Sequence, residues 1–403
     1  MYVDLHPDYA TDERGKKAAA LIGACVHCGF CLETCPTYLA TRDERDSPRG
    51  RIYLIKQLLE TADASSQTHT HLDRCLSCRS CETTCPSGMQ YGQLLDIGRD
   101  LMAQRVPRAV GKRGFRWLLR QSLTRPRLFS VALRLGQCVK PLLPAILRQH
   151  LPARQTVGAL PNTQHPRAML LLEGCVQQAA TPGTNAAARR VLDRLGISLQ
   201  TTAGAGCCGA VNYHLSAHDA ALDNMRRNID AWWPQIEAGA EAIVSGATGC
   251  GSMLIDYGRI LAQDPAYAEK ARQVSALARD IGEVLLQEDL SRLRVNTAVG
   301  RVAVHTPCSL QHAMKLPNLI TDILTRAGFE LAATRDNHLC CGSAGTYSIL
   351  EPAMSGRLRE KKLAALGIDS PDLIASGNVG CQLHLAGTTV PVMHWIELLD
   401  TGA

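Results

Sequence analysis

Two copies of one cysteine run dominate the first hundred residues. Cys25-x-x-Cys28-x-x-Cys31-x-x-x-Cys35-Pro36 is followed by Cys75-x-x-Cys78-x-x-Cys81-x-x-x-Cys85-Pro86 with identical internal spacing. Thiolates at this spacing hold two [4Fe–4S] cubanes: three cysteines of a run wrap one face of a cluster, and the fourth ligates the other cluster. Cluster A then takes Cys25, Cys28, Cys31 and Cys85, while cluster B takes Cys75, Cys78, Cys81 and Cys35. Zinc is the competing choice, but structural zinc prefers two separated pairs of ligands, and neither run offers them. The chemistry is electron transfer.

Eight further cysteines fall in a second duplication. Met169-Leu-Leu-Leu-Glu-Gly-Cys175 matches Arg301-Val-Ala-Val-His-Thr-Pro-Cys308, each an apolar run typical of a buried strand that ends on a cysteine. Helices are expected over 185–195 and 318–327, with Gly196 and Gly328 as stops. A second strand then leads to Cys207-Cys208-Gly209 and Cys340-Cys341-Gly342, 32 residues after the first cysteine in both copies. Ser245-Gly-Ala-Thr-Gly-Cys250 matches Ser376-Gly-Asn-Val-Gly-Cys381. Duplicated thiols in adjacent pairs favour metal over inert buried cysteines. Four thiolates satisfy one [4Fe–4S] cubane or one zinc ion.

Cys308, Cys340, Cys341 and Cys381 form the stronger candidate for a third metal centre. Their loop Cys340-Cys-Gly-Ser-Ala-Gly-Thr sets two glycines beside the pair, where backbone can approach a cluster. Cys175, Cys207, Cys208 and Cys250 are the counterpart set. His305, His312, His338 and His394 are candidate proton handlers with no partner fixed by the sequence. Cys138 lies outside both patterns and is expected to be a small buried hydrophobe. No catalytic residue is assigned to this chain.

The elements that position these thiols follow from periodicity. Between the first two runs, Arg51-Ile-Tyr-Leu-Ile-Lys-Gln-Leu-Leu-Glu60 has helical spacing, with Ser47 as N-cap and Pro48 at the first helical position. Arg49, Arg51, Arg74 and Arg79 crowd the runs, either offsetting cluster charge or simply solvated. Beyond residue 167, alternating strands and helices imply a parallel α/β sheet in each half, with cysteines in loops at strand ends. The fold class is α+β overall: an N-terminal α-helical two-cluster ferredoxin-like module, then two duplicated α/β cysteine-rich repeats. The expected domains are 1–100 for the module, 101–166 for a basic helical linker, 167–297 for repeat 1 and 298–403 for repeat 2.

With 403 residues the chain exceeds a ferredoxin and can bury a sizeable core, although aromatics make up only 4%. Its first residues lack the basic and apolar regions of a signal peptide, and cysteines that must stay reduced fit a cytosolic face. No window reaches the ~20 apolar residues of a membrane span; the best, 133–147, is broken by Lys140, Pro141 and Pro144. From Arg99 to Arg154 thirteen Lys or Arg face the single acid Asp100, a local charge of +12 in a chain of +6. Short helices carrying Phe115, Trp117, Leu118, Leu119, Phe129, Val131 and Leu133 in this stretch suit either a membrane surface or a partner subunit. No recognition motif accompanies the charge, so nucleic acid is not an expected partner.

The words between the cysteines resemble the iron–sulfur subunits of bacterial glycolate oxidase. They are Cys25-Val-His-Cys-Gly-Phe-Cys31, Pro48-Arg-Gly-Arg-Ile-Tyr-Leu-Ile-Lys56, Leu94-Leu-Asp-Ile-Gly-Arg-Asp100, Cys340-Cys-Gly-Ser-Ala-Gly-Thr-Tyr347 and His394-Trp-Ile-Glu-Leu-Leu399. The likeness extends to the wider "CCG" group, which includes heterodisulfide reductases and lactate-utilisation proteins. The group's full repeat ends in Cys-x-x-Cys; here the ends are Cys250-Gly-Ser-Met253 and Cys381-Gln-Leu-His384. Each repeat thus has four cysteines rather than five, which puts the group's non-cubane cluster in doubt. His384 could replace the lost thiolate, against the blander expectation of a packed or hydrogen-bonded histidine in an apolar strand.

Oxidation of a hydroxy acid needs a two-electron acceptor, normally a flavin, and the chain contains neither a Gly-x-Gly-x-x-Gly nor a Walker loop. The resemblance therefore implies FAD-binding partner subunits, with this chain relaying electrons from the flavin toward quinone, peripheral on the inner face of the cytoplasmic membrane. Two alternatives remain: a disulfide reductase with its catalytic cluster in the repeats, and a scaffold whose repeats carry zinc.

Overall fold

The computed structural model describes residues 1–142 and 151–400. Its first third is helical. α1 (Glu13–Gly23), α2 (Pro36–Thr41) and α3 (Pro48–Thr61) are followed by α4 (Ser66–Asp73), α5 (Ser80–Thr84) and α6 (Tyr91–Arg105). The expected start of α3 is present: Ser47 Oγ accepts the Gly50 amide at 3.0 Å, and Pro48 opens the helix. α1, α3 and α6 bury Ile22, Ile52, Ile55, Leu58, Leu59, Leu94, Leu95 and Met102 in one core, and Cys25, Cys31, Cys75, Cys81 and Cys85 pack at its margin. These helices back the cysteine loops.

Among the described residues, the basic stretch beyond Arg105 forms two helices of 14 residues, longer than the expected short ones: α7 (Val110–Leu123) and α8 (Pro126–Val139). α7 buries none of its residues, and α8 buries only Leu133. Val110, Trp117 and Leu118 on α7, and Leu128, Val131, Leu135 and Val139 on α8, are exposed at helical spacing. Cys138 belongs to this outward stripe and is exposed, which corrects the expectation of a buried thiol. The far part of the 133–147 window lies outside the described residues. Among those residues, no helix is long and apolar enough to cross a membrane.

Each half of the remainder is built on a parallel sheet. The first has β1 (Arg167–Leu172), α9 (Pro182–Arg194), β2 (Ile197–Gln200), α10 (His218–Glu237), β3 (Ile243–Ser245), α11 (Thr248–Ile260), β4 (Ala278–Asp280) and α12 (Ile281–Leu286). Its strand order is β2-β1-β3-β4. The second has β5 (Val302–His305), α13 (Leu319–Arg326), α14 (Pro352–Leu366), β6 (Leu373–Ser376), α15 (Val379–Leu385), β7 (Val392–His394) and α16 (Trp395–Leu398). Its order is β5-β6-β7.

The second strand expected in this half shrinks to a single bridge, Val302 to Leu331. The Asp369 carboxylate takes the Ala333 amide, and the Ala365 carbonyl takes that of Arg335, so donors a longer ladder would use are diverted. Gly196 and Gly328 do stop their helices, at φ of 83° and 85°.

The halves share one apolar core, from Met169 and Val191 to Ile320 and Trp395. Their matching loops meet: Thr248 donates its amide to the Gly377 carbonyl at 3.2 Å, and His394 Nε2 donates to the Gly246 carbonyl at 2.7 Å. His394 Nδ1 accepts the Ile396 amide, and burial holds its pKa down, at about 4. Both nitrogens serve the fold, so His394 leaves the set of proton handlers. At the corresponding strand end, Asp280 caps α12 through the Gly282 amide, and burial pushes its carboxyl up to about 7.

Candidate metal centres

The two N-terminal cysteine loops share one backbone device. His27 and Gly29 flank Cys28 at φ of 54° and 88°; Ser77 and Arg79 flank Cys78 at 52° and 61°. Left-handed residues other than glycine cost ~1 kcal/mol or more each and persist where surrounding structure imposes them. Successive backbone turns of this kind aim amides into a concavity suited to an anion, as at many iron–sulfur sites.

The loops border two cavities. Cys25, Cys28, Cys31 and Cys85 line the first, with Arg49 and Ile52. Cys35, Cys75 and Cys78 line the second, with Arg51 and Arg79. Cys81 and Tyr91 border both. The fourth cysteine of each run therefore sits with the first residues of the other run. All eight thiols are free, and burial pushes those of Cys78 and Cys81 well up, so loading metal must displace their protons. The buried Tyr91 hydroxyl, on the wall between the cavities, has no hydrogen-bond partner among the described residues. Eight thiols, amide-lined loops and this orphaned donor fit two [4Fe–4S] clusters, whose sulfurs accept hydrogen bonds.

The four arginines near these loops are ion-paired rather than freely solvated. Arg49 meets Glu44 at 2.6 Å, and Arg79 meets Glu82 at 2.9 Å. Arg74 reaches Asp46 at 2.9 Å, and Arg51 reaches it at 3.6 Å. Asp46 is fully buried and also accepts from His71 Nδ1 at 2.8 Å. Its backbone carbonyl takes the Thr37 hydroxyl at 2.8 Å, and that hydroxyl lies 3.3 Å from Cys35 Sγ. The sequence offers no local cue to this network, because Asp46, Arg51 and His71 meet only in the folded module.

The cysteines of each repeat also converge. In the first half the thiols form a chain of contacts from Cys175 to Cys207 to Cys208 to Cys250. In the second, Cys308 Sγ lies 3.8 Å from Cys340 Sγ, and contacts continue to Cys341 and Cys381. Gly342 answers a packing requirement of its own. It sits at φ 92°, and a Cβ would strike Ser355 O at 2.8 Å and Leu358 Cβ at 2.9 Å, so it lets the cysteine loop close onto α14.

His384 lies on α15, not in a strand, and its Nε2 is 3.2 Å from Ser355 Oγ, the hydrogen-bonded alternative. His312 bridges Thr83 Oγ1 and the His338 carbonyl, tying the second half to α5; the His338 side chain is exposed. Cys78 and Cys308 both pack against one apolar cluster that joins Leu76 to Cys340 and Tyr347, and Tyr347 donates to the Arg74 carbonyl at 3.1 Å. The second cavity thus borders the second repeat, while Cys28, Val26 and Phe30 of the first are exposed.

Comparison with known proteins agrees with this division. Residues 22–89 match the 4Fe-4S dicluster domain, and 169–255 and 302–386 each match the cysteine-rich domain. The glycolate oxidase iron–sulfur subunit of Escherichia coli (strain K12) is 50% identical over 99% of this chain and 98% of its own length. A probable glycolate oxidase iron–sulfur subunit of Bacillus subtilis (strain 168) is 29% identical over 90% of this chain and 87% of its own. A crystal structure of a hypothetical protein from Helicobacter pylori shares the fold at a TM-score of 0.57 and 9% identity, covering 98% of this chain and 74% of that one. By its dicluster domain, its paired cysteine-rich domains and this identity along its length, the chain belongs to the family of glycolate oxidase iron–sulfur subunits.

Proposed function

We propose that this chain is the electron relay of a complex that oxidises glycolate, between an FAD-binding partner and quinone. The supporting observation is the placement of its thiols: one cysteine cavity open at the surface, a second beside it, and the second repeat's cysteines beyond, from Cys28 to Cys78 to Cys308. Cys25, Cys28, Cys31 and Cys85 hold one cluster, and Cys75, Cys78, Cys81 and Cys35 hold the other. Cys308, Cys340, Cys341 and Cys381 hold a third centre, with Cys175, Cys207, Cys208 and Cys250 as its counterpart. Bound there, such clusters supply one-electron carriage between a two-electron donor and its acceptor. The chain's own residues supply the insulating helical wall, the amide-lined loops and the Tyr91 hydroxyl between the cavities. Isolated anaerobically under mild conditions, the chain should come with subunits carrying flavin at a fixed ratio. Isolation as a flavin-free, partner-free protein would contradict the reading.

The outward apolar stripe of α7 and α8, with Lys112, Arg113, Arg127 and Arg134 exposed around it, suits the anionic surface of the cytoplasmic membrane. Attraction there is worth about 1 kcal/mol per Lys or Arg close to the surface. Arg108 and Arg116 are less available, since both pair with Asp73, at 2.7 and 2.8 Å. Charge reversal of Lys112, Arg113, Arg127 and Arg134 should release the complex from anionic vesicles at moderate salt. Unchanged co-sedimentation would remove the membrane from the account.

A further inference from the structure

The two cysteine-rich halves differ in what surrounds their thiols. At the end of β5, His305 is buried, and one of its ring nitrogens lies within 4.8 Å of both Cys341 Sγ and Cys381 Sγ. Ser376, its neighbour across the sheet, holds Nδ1 at 2.9 Å, which leaves Nε2 for a metal. A metal-bound histidine characteristically has its second nitrogen fixed by a hydrogen bond of this sort. Counting back from the first cysteine of each repeat, the same position in the first half is Leu172, which is equally buried and apolar.

A second difference lies across the pocket. Gly209 packs against Ala221, and Gly342 packs against Ser355. Seven residues further along those helices stand Asn228 and Lys362. Asn228 spends its amide on Gly206, Cys207 and Tyr257. Lys362 is buried, and among the described residues its ammonium donates to the Asp336 and Asn337 carbonyls, at 2.9 and 3.3 Å. Among the described residues no carboxylate forms an ion pair with it, and Cys341, Cys340, Cys308 and Cys381 are acidic groups close enough to act on it. A buried cation without a counter-ion is costly. Thiolates drawn to a metal in this pocket would supply the missing negative charge.

We propose that His305 is a ligand, with Cys341 and Cys381, of an iron–sulfur centre in the second repeat, which makes that centre mixed imidazole and thiolate while the first repeat offers thiols alone. The inference rests on the reading that the second repeat holds a metal. Imidazole in place of thiolate raises the reduction potential of an iron–sulfur centre, and the Lys362 charge acts in the same direction. The two halves of the duplication are thereby tuned apart.

The test is pulsed EPR on the intact, anaerobically purified complex, with unlabelled histidine and with 15N-histidine. A third iron–sulfur signal carrying a nitrogen coupling that changes with the label, and is lost in His305→Leu, is the expected result. His305→Cys should keep the centre and make its reduction at least ten-fold less favourable, 59 mV for one electron. A third signal with no histidine coupling, or with one that survives His305→Leu, overturns the ligation and leaves the third centre standing. About eight iron atoms per chain and no third signal would remove the centre itself, and the inference with it. The labelled wild-type complex decides the ligation even if the variants fold poorly.

Discussion

Replacing Cys35 by alanine should empty the second cavity while the first keeps its cluster. Cys35 follows Cys25, Cys28 and Cys31 in the chain, yet its thiol lines the space bordered by Cys75, Cys78 and Cys81. The variant should lose about four iron atoms per chain. The EPR signal that survives should be that of the cluster held by Cys25, Cys28, Cys31 and Cys85. Loss of outer-shell partners alone costs a metal site roughly 10–100-fold in affinity or activity, so loss of a ligand should cut electron throughput by on the order of 100-fold or more. Damage confined to the first run's cluster would show that each run serves its own cluster.

Asp46→Ala should have the largest effect on stability in the N-terminal module. The carboxylate has no solvent exposure and answers three groups, the guanidinium groups of Arg51 and Arg74 and the imidazole of His71. Arg51, itself buried, would keep its bonds to the His71 carbonyl and Thr37 hydroxyl but lose the balancing charge. Removing one partner of a buried ion pair costs roughly 3–5 kcal/mol. Thr37 and Arg74 adjoin Cys35 and Cys75 along this network, so the second cavity should lose iron before the first. Asp46→Asn keeps hydrogen-bonding capacity without the charge and should be milder. Denaturant unfolding of the two variants measures the difference; a cost below about 1 kcal/mol for Asp46→Ala would contradict the account of the network.

The features legible in the sequence are those written locally. Cysteine spacing, the Ser47-Pro48 start of α3, and the stops at Gly196 and Gly328 each depend on a few neighbouring residues, and each is present. The duplication was readable for the same reason, since it repeats short words at fixed intervals. What escaped depends on partners distant in sequence. The strand near Leu331 is cut short by Asp369, and the glycine of the second cysteine pair answers to Ser355 and Leu358.

His305 was visible only as one of four unpartnered histidines; its company of Ser376, Cys341 and Cys381 comes from the sheet and the loop above it. Lys362 carried no signal at all, because a lysine in a helix is ordinarily solvated and nothing nearby in sequence marks this one as buried. The exposure of Cys138 is not legible in the sequence, because α8 turns its apolar stripe outward, away from the core that periodicity alone suggests.

The measurement that bears most directly on the proposed relay is freeze-quench EPR of the anaerobic complex mixed with glycolate. The account predicts that signals of reduced [4Fe–4S] clusters in this chain grow within the time of one turnover. In the Cys35→Ala complex only the cluster of the first cavity should respond. Bleaching of the partner's flavin with no reduction of either cluster, in a complex shown to contain both, would contradict it.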